Sequence, residues 1–205
     1  MRKLVVTTFV TVDGVMQSPG APEEDPSNGF ELGGWLVPFA DEDMGRQMVE
    51  WFSHAEDFLL GARTYEIFAA YWPHAPTEQD PIAKALNTLP RHVASRTLGH
   101  VDWEGTHLIE GDVAEGVAAL KDRDGGELQV HGSGGLIQTL LEHDLVDELR
   151  LMIFPLVLGS GKRLFADGTV PAGLRLSSSS ATGAGVLIAT YDRAGEVATG
   201  SMALD

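Results

Sequence analysis

No cysteine occurs anywhere in the chain, which removes disulfide scaffolds, thiolate zinc sites and cysteine nucleophiles together and leaves the redox compartment open. Cations are scarce as well: 14 Lys and Arg stand against 30 Asp and Glu, a formal net charge of −16. Nucleic acids and anionic membrane surfaces draw their affinity from Lys and Arg, so neither is expected as a partner. No apolar run approaches the roughly 20 residues that a membrane-spanning helix needs. The segment LVVTTFVTV behind Arg2 and Lys3 lacks a small-residue cleavage site and runs straight into Asp13-Gly14, so it reads as a first strand and not as a signal peptide. A cytoplasmic protein is expected. The seven histidines include no H-x-x-x-H or H-x-H pair, which argues against a metal site.

What is present suits one soluble domain over residues 1–205, with 43% of residues hydrophobic and no repeat or dividing linker. Leu4 to Val12 is rich in Val and Thr and predicts a buried strand. Residues 17–38, dense in Pro, Gly and acidic side chains, predict a long loop, a class that is often functional. Asp41 is placed to cap a helix whose Met44, Met48, Trp51, Phe52 and Ala55 share a face. A strand follows at 57–61, a helix capped by Thr64 and ended by Pro73, a short helix at 81–89, and strands at 91–95 and 106–110. Asp112 opens a helix carrying Val113, Val117 and Leu120. ELQVHG is the next strand, 135–143 the next helix, and DELRLMIFPLVLG a long strand interrupted at Pro155. LRLSSSS and VLIATYDR close the chain as an antiparallel pair. Alternation followed by a run of strands predicts a mixed α/β sheet of about eight strands.

Three strand ends carry candidate chemistry. His131-Gly132-Ser133-Gly134-Gly135 fails the dinucleotide fingerprint G-x-G-x-x-G, because Ile137 stands where the third glycine belongs. Small residues between a strand and a helix still leave N–H groups free at the positive end of a helix dipole, which suits an anion. A phosphate cradle and a plain turn both remain open from this segment. In LLGARTYEIF the same arrangement recurs with Arg63 at a helix start, where a cation opposes the dipole and asks for an anion or for solvent. Ser95, Arg96 and Thr97 follow a third strand. Together these ends suggest one polyanionic ligand at the carboxyl edge of the sheet. LGSGK at 158–162 is not a P-loop, since position 156 is leucine and position 163 arginine. Ser133 does not lie in G-x-S-x-G, so no hydrolase elbow is supported. Asp13, at the end of the first strand, is either a turn former or a functional carboxylate.

The ordered set TTFVTVDGVMQSPG, LLGARTYEIFAAYWP, HVASRTL and LQVHGSGGLIQTLLEHDLVDELRLMIFPLVLGSGKRLF, spread over nearly the whole chain, resembles the dihydrofolate reductase-like family that includes the C-terminal reductase domain of the bacterial riboflavin biosynthesis protein. The resemblance implies a mixed, mostly parallel eight-stranded sheet flanked by helices, with antiparallel C-terminal strands, and NADPH bound across it. By resemblance Gly61, Ala62, Arg63 and Thr64 meet the pyrophosphate and adjacent ribose. Ser95, Arg96 and Thr97 hold the adenosine side and its 2′-phosphate, and Gly132, Ser133, Gly134 and Gly135 cradle the pyrophosphate and nicotinamide half. Asp13 would serve as the catalytic carboxylate, with Trp35, Glu50 and Trp51 lining the substrate side. The activity implied is hydride transfer to a small heterocyclic or carbonyl-type substrate. The alternatives are a nucleotide-binding protein without turnover and the pyrimidine reductase of riboflavin synthesis. The apolar strand ELRLMIFPLVLG should not lie bare at a sheet edge, which suggests a homodimer.

Overall fold

A computed structural model describes residues 1–202. Its centre is one eight-stranded sheet built from β1 (Leu4–Thr11), β2 (Ala55–Gly61), β3 (Arg91–Ala94), β4 (Thr106–Leu108), β5 (Glu127–His131), β6 (Glu148–Phe154), β7 (Leu174–Ala181) and β8 (Leu187–Arg193). The spatial order is β4-β3-β2-β5-β1-β6-β8-β7. Neighbours from β4 through to β6 pair in parallel, and β8 and β7 join antiparallel at the end. The helices are α1 (Glu42–Ser53), α2 (Ala62–Tyr71), α3 (Pro81–Thr88), α4 (Val113–Lys121) and α5 (Gly134–Glu142). The sheet class, strand number and antiparallel close all agree with the pattern of the sequence.

Period-two alternation sends the strand side chains to two different cores. Leu4, Val6, Val10, Leu59, Leu128, Val130, Leu149 and Leu151 meet Val117 and Leu120 of α4 and Ile137 and Leu140 of α5. On the other face Phe58, Leu60 and Val93 meet Phe52 of α1, Tyr65 of α2 and Leu86 of α3. Trp35, Trp51, Met152 and Phe154 form a third cluster beside it. Among the described residues no helix is long and apolar enough to cross a membrane.

Three local expectations change. Thr64 does not cap α2, because the helix already begins at Ala62 with Gly61 at its cap position. The apolar strand stops at Phe154 and does not resume after Pro155. It also lies inside the sheet, between β1 and β8, so the apolar run is explained by its own chain and supplies no reason for a dimer. The edge strand on that side, beyond β8, is β7, whose eight residues are all exposed.

Candidate functional site

In a parallel sheet every crossover returns to the same end, so the carboxyl ends of β1 to β6 share one rim. β3, β2 and β5 are adjacent, which brings the three sequence-predicted ends side by side. Gly61 pairs in register with Ala94, immediately before Ser95. Two bonds stitch β2 to β5: the Gly61 N–H donates to Ser133 Oγ at 3.0 Å, and the Ser133 N–H donates to Thr64 Oγ1 at 3.1 Å. The Ser133 hydroxyl in turn donates to the His131 carbonyl at 3.1 Å. Thr64, misplaced as a cap, is thus a bridge to the next strand.

The glycines have a specific use here. Gly132 and Ser133 both adopt left-handed backbone, with φ of 58° and 62°. That conformation costs a glycine nothing and an L-residue more. It turns the chain so that α5 starts at Gly134 with no side chain bonded to its first N–H groups. α2 starts at Gly61 in the same uncapped way. By contrast Asp41, Asp80 and Asp112 accept from backbone N–H groups at the starts of α1, α3 and α4. A Cβ built on Gly135 would face open space. Two uncapped helix starts beside each other leave several N–H donors and two positive dipole ends for one anion.

Arg63, in the first turn of α2, finds the anion that its position asked for. Its Nη2 lies 3.3 Å from Asp25 Oδ1 while its side chain stays half exposed. Ser95 closes a local turn, its Oγ accepting from Thr97 N at 3.1 Å and Leu98 N at 2.9 Å, and leaves Arg96 exposed.

The residues expected on the substrate side differ in setting. Asp13 serves as a turn clamp: Thr11 Oγ1 donates to it at 2.6 Å, and the N–H groups of Gly159 and Leu158 donate at 2.9 and 3.2 Å. The Thr11 hydroxyl, then Gly159 and Leu158, hold its carboxyl at about 2 against the opposing effect of desolvation. A carboxylate so engaged is ionised near neutrality. These three donors anchor Asp13 between the end of β1 and residues 158–159. Trp35 is buried, its indole N–H donating to the Gln17 carbonyl at 2.8 Å and its ring set edge-on to Phe154 at 5.2 Å. Trp51 lies on the buried side of α1, with the Arg150 guanidinium 5.8 Å above its ring. Glu50 is exposed and opens, with Asp43, Arg46 and Gln47, onto a groove against β7 and β8. Trp35 and Trp51 thus share one buried cluster, while Glu50 faces solvent.

A chain of polar groups beneath α1 is not evident in the sequence, where ELQVHG looks like an ordinary half-buried strand. Arg150 grips Glu127 with two bonds of 2.6 and 2.8 Å and Glu148 with a third of 2.7 Å. Gln129 Nε2 donates to Glu127 and to the Trp51 carbonyl. Its Oε1 is then the acceptor facing His131 Nε2 at 3.1 Å, so that ring nitrogen carries the proton and Nδ1 does not. Burial first, and the Arg150 charge second, push the His131 pKa down to about 3. A neutral imidazole stacked on Phe52 at 4.4 Å therefore ends β5 directly below the glycine turn. Thr7 stands in register with both His131 and Arg150.

Comparison with known proteins fits this geometry. The model of the RibD C-terminal domain family matches residues 2–188. The chain belongs to that family. Bacillus subtilis YyaP, an uncharacterised protein, is 27% identical over 192 residues, covering 93% of this chain and 94% of YyaP. Among solved structures, a pyrimidine reductase-like protein from Corynebacterium diphtheriae superposes with a TM-score of 0.63 at 14% identity, covering 95% of this chain and 92% of that one. Dihydrofolate reductase from Enterococcus faecalis, solved with NADP(H), gives a TM-score of 0.58 at 16% identity over 93% of this chain and 96% of its own. At such identities the structural likeness establishes the dihydrofolate reductase-like fold. Family membership makes this a domain of reductase type.

Proposed function

We propose that the protein is an NADPH-dependent reductase that passes a hydride to a small heterocyclic or carbonyl-type substrate. The observation that carries this reading is the meeting of two uncapped helix starts, α2 and α5, stitched through Gly61, Thr64 and Ser133. Free N–H groups from Ala62 and Gly134 onward would hold a pyrophosphate. Arg63 would pair with a neighbouring phosphate, and Arg96, exposed one residue beyond Ser95, would grip a 2′-phosphate with two hydrogen bonds. When bound, the cofactor supplies the hydride, and the chain supplies position and electrostatics. A homodimer through the exposed β7 edge accompanies this proposal, since a bare strand invites pairing. Binding without turnover is the second reading. It is favoured by Asp13, whose carboxylate is engaged by three donors and does not carry a proton.

Titration with NADPH and with NADH tests the cofactor assignment. NADPH is expected to bind more tightly, and Arg96→Ala to weaken it by about tenfold, the scale of a charge-assisted contact, while leaving NADH unchanged. Affinity for both dinucleotides no better than millimolar would overturn the assignment. NADPH oxidation in the presence of pterins, pyrimidines or quinones separates the reductase from the protein without turnover.

A further inference from the structure

The loop over residues 17–36 is tied across the rim by one carboxylate. Asp25, almost buried, receives Lys162 Nζ at 2.6 Å on Oδ2 and Arg63 Nη2 at 3.3 Å on Oδ1. Ser27 adds its hydroxyl at 2.6 Å and its N–H at 3.3 Å. Two cations, a hydroxyl and an N–H around one anion form the donor set that holds a phosphate oxygen. Yet in a chain of net charge −16 these two cations are turned toward each other and are half exposed.

Both cations belong to the rim. Arg63 lies in the first turn of α2, whose start no side chain caps. Lys162 is fixed by its own backbone: its N–H donates to Gln17 Oε1 at 3.0 Å, and its carbonyl accepts from Met16 N at 2.9 Å. Met16 reaches the start of α5, where its Sδ would meet a Cβ on Gly134 at 3.0 Å. The Asp25 site therefore meets the start of α2 directly through Arg63 and is linked to the start of α5 through Lys162 and Met16.

We propose that Asp25 occupies from within the chain an anion site made by Arg63 and Lys162, and that a pyrophosphate group arriving at the uncapped start of α2 takes Arg63 from it. Asp25 then stays with Lys162, so the exchange ties ligand binding to the loop over 17–36. The identity of the incoming anion rests on the dinucleotide reading above. Lys162, part of a motif that fails as a P-loop, gains a role as a positioning residue for the loop and a source of positive field for the phosphate.

Calorimetric titration with inorganic pyrophosphate at low ionic strength, run on the wild-type chain, Asp25→Asn and Lys162→Gln with NADPH in parallel, tests this. Removing the internal competitor is expected to tighten pyrophosphate binding about threefold to fivefold, the scale of a partly exposed ion pair. Lys162→Gln is expected to weaken it, because it removes field and leaves Asp25 to Arg63 alone. Melting temperatures near the wild-type value show that the variants fold. Equal or weaker pyrophosphate binding in folded Asp25→Asn, unchanged binding in Lys162→Gln, or no binding to any of the three proteins would overturn the proposal. Pyrophosphate responding as stated while NADPH fails to bind would overturn the dinucleotide reading and leave the exchange standing.

Discussion

The five α-helices among the described residues begin in two ways. Asp41, Asp80 and Asp112 lie over the first turns of α1, α3 and α4 and satisfy their N–H groups, whereas α2 and α5 start from Gly61 and Ser133 with no side-chain cap. An aspartate cap stabilises a helix by about 1 kcal/mol and also cancels its dipole. An uncapped start forgoes that stability and keeps the donors. In this fold the two kinds are sorted by position: the uncapped pair follows adjacent strands β2 and β5 at the rim. The chain thus places aspartate caps at α1, α3 and α4 and leaves the N–H groups of the two starts that would face a phosphate without one.

The largest effect should come from placing an acid at the wrong start. Ser133→Asp puts a carboxylate between the two uncapped helices, where it can satisfy N–H groups and repel any anion that approaches them. NADPH affinity is expected to fall by at least about a hundredfold, close to 2.7 kcal/mol, with the fold intact by circular dichroism. Unchanged NADPH affinity in the folded variant would show that this start holds no phosphate.

A second effect comes from the histidine beneath the cradle. In the unfolded chain His131 charges near its ordinary value of 6.5, but in the fold it does so only at about 3. Between those values the unfolded state binds more protons, so stability falls as pH drops from about 6.5 toward 3. The slope is at most about 1.4 kcal/mol per pH unit. His92, whose pKa burial also lowers, acts in the same direction. His131→Gln should flatten the stability curve between pH 6 and 4 without levelling it. Asp13, Asp25 and Asp57, with lowered carboxyl pKa values, lose their contribution only at lower pH. Parallel denaturation curves for wild type and variant across that range would show that the buried imidazole does not carry the acid response.

How much of this could be read from the sequence depended on the range of the interaction. Asp41, Asp80-Pro81 and Asp112 act within three residues, and local pattern placed helix starts close to all of them. Gly132-Ser133 announces a turn because glycine and small polar residues tolerate left-handed backbone. Thr64 misleads, since its hydroxyl is used 69 residues away, on the Ser133 N–H. Nothing in the local pattern marks Arg150 and Gln129 as partners, but α1 covers that face of their strands and they join in one buried chain. Asp25 is one of several acids in a loop, and only the folded chain shows Lys162 and Arg63 on either side of it. The fold class, carried by periodicity, was therefore more legible than the site, which is carried by contacts between distant strands.

The smallest effect tests the ordinary kind of start. Asp80 sits ahead of Pro81, and one oxygen accepts from both Ile82 N at 2.8 Å and Ala83 N at 3.2 Å. Proline at the first helical position needs no N–H partner of its own, so the carboxylate meets the donors that remain. Asp80→Ala strands both and should cost about 1 kcal/mol of stability, read as a shift in the denaturation midpoint at unchanged slope. NADPH affinity should not move, because α3 follows no strand of the rim that holds Gly61 and Ser133. A loss of affinity comparable to that in Ser133→Asp would dissolve the distinction between capped and uncapped starts. If only stability shifts, helix capping and anion binding are separate tasks, given by this chain to different N-termini.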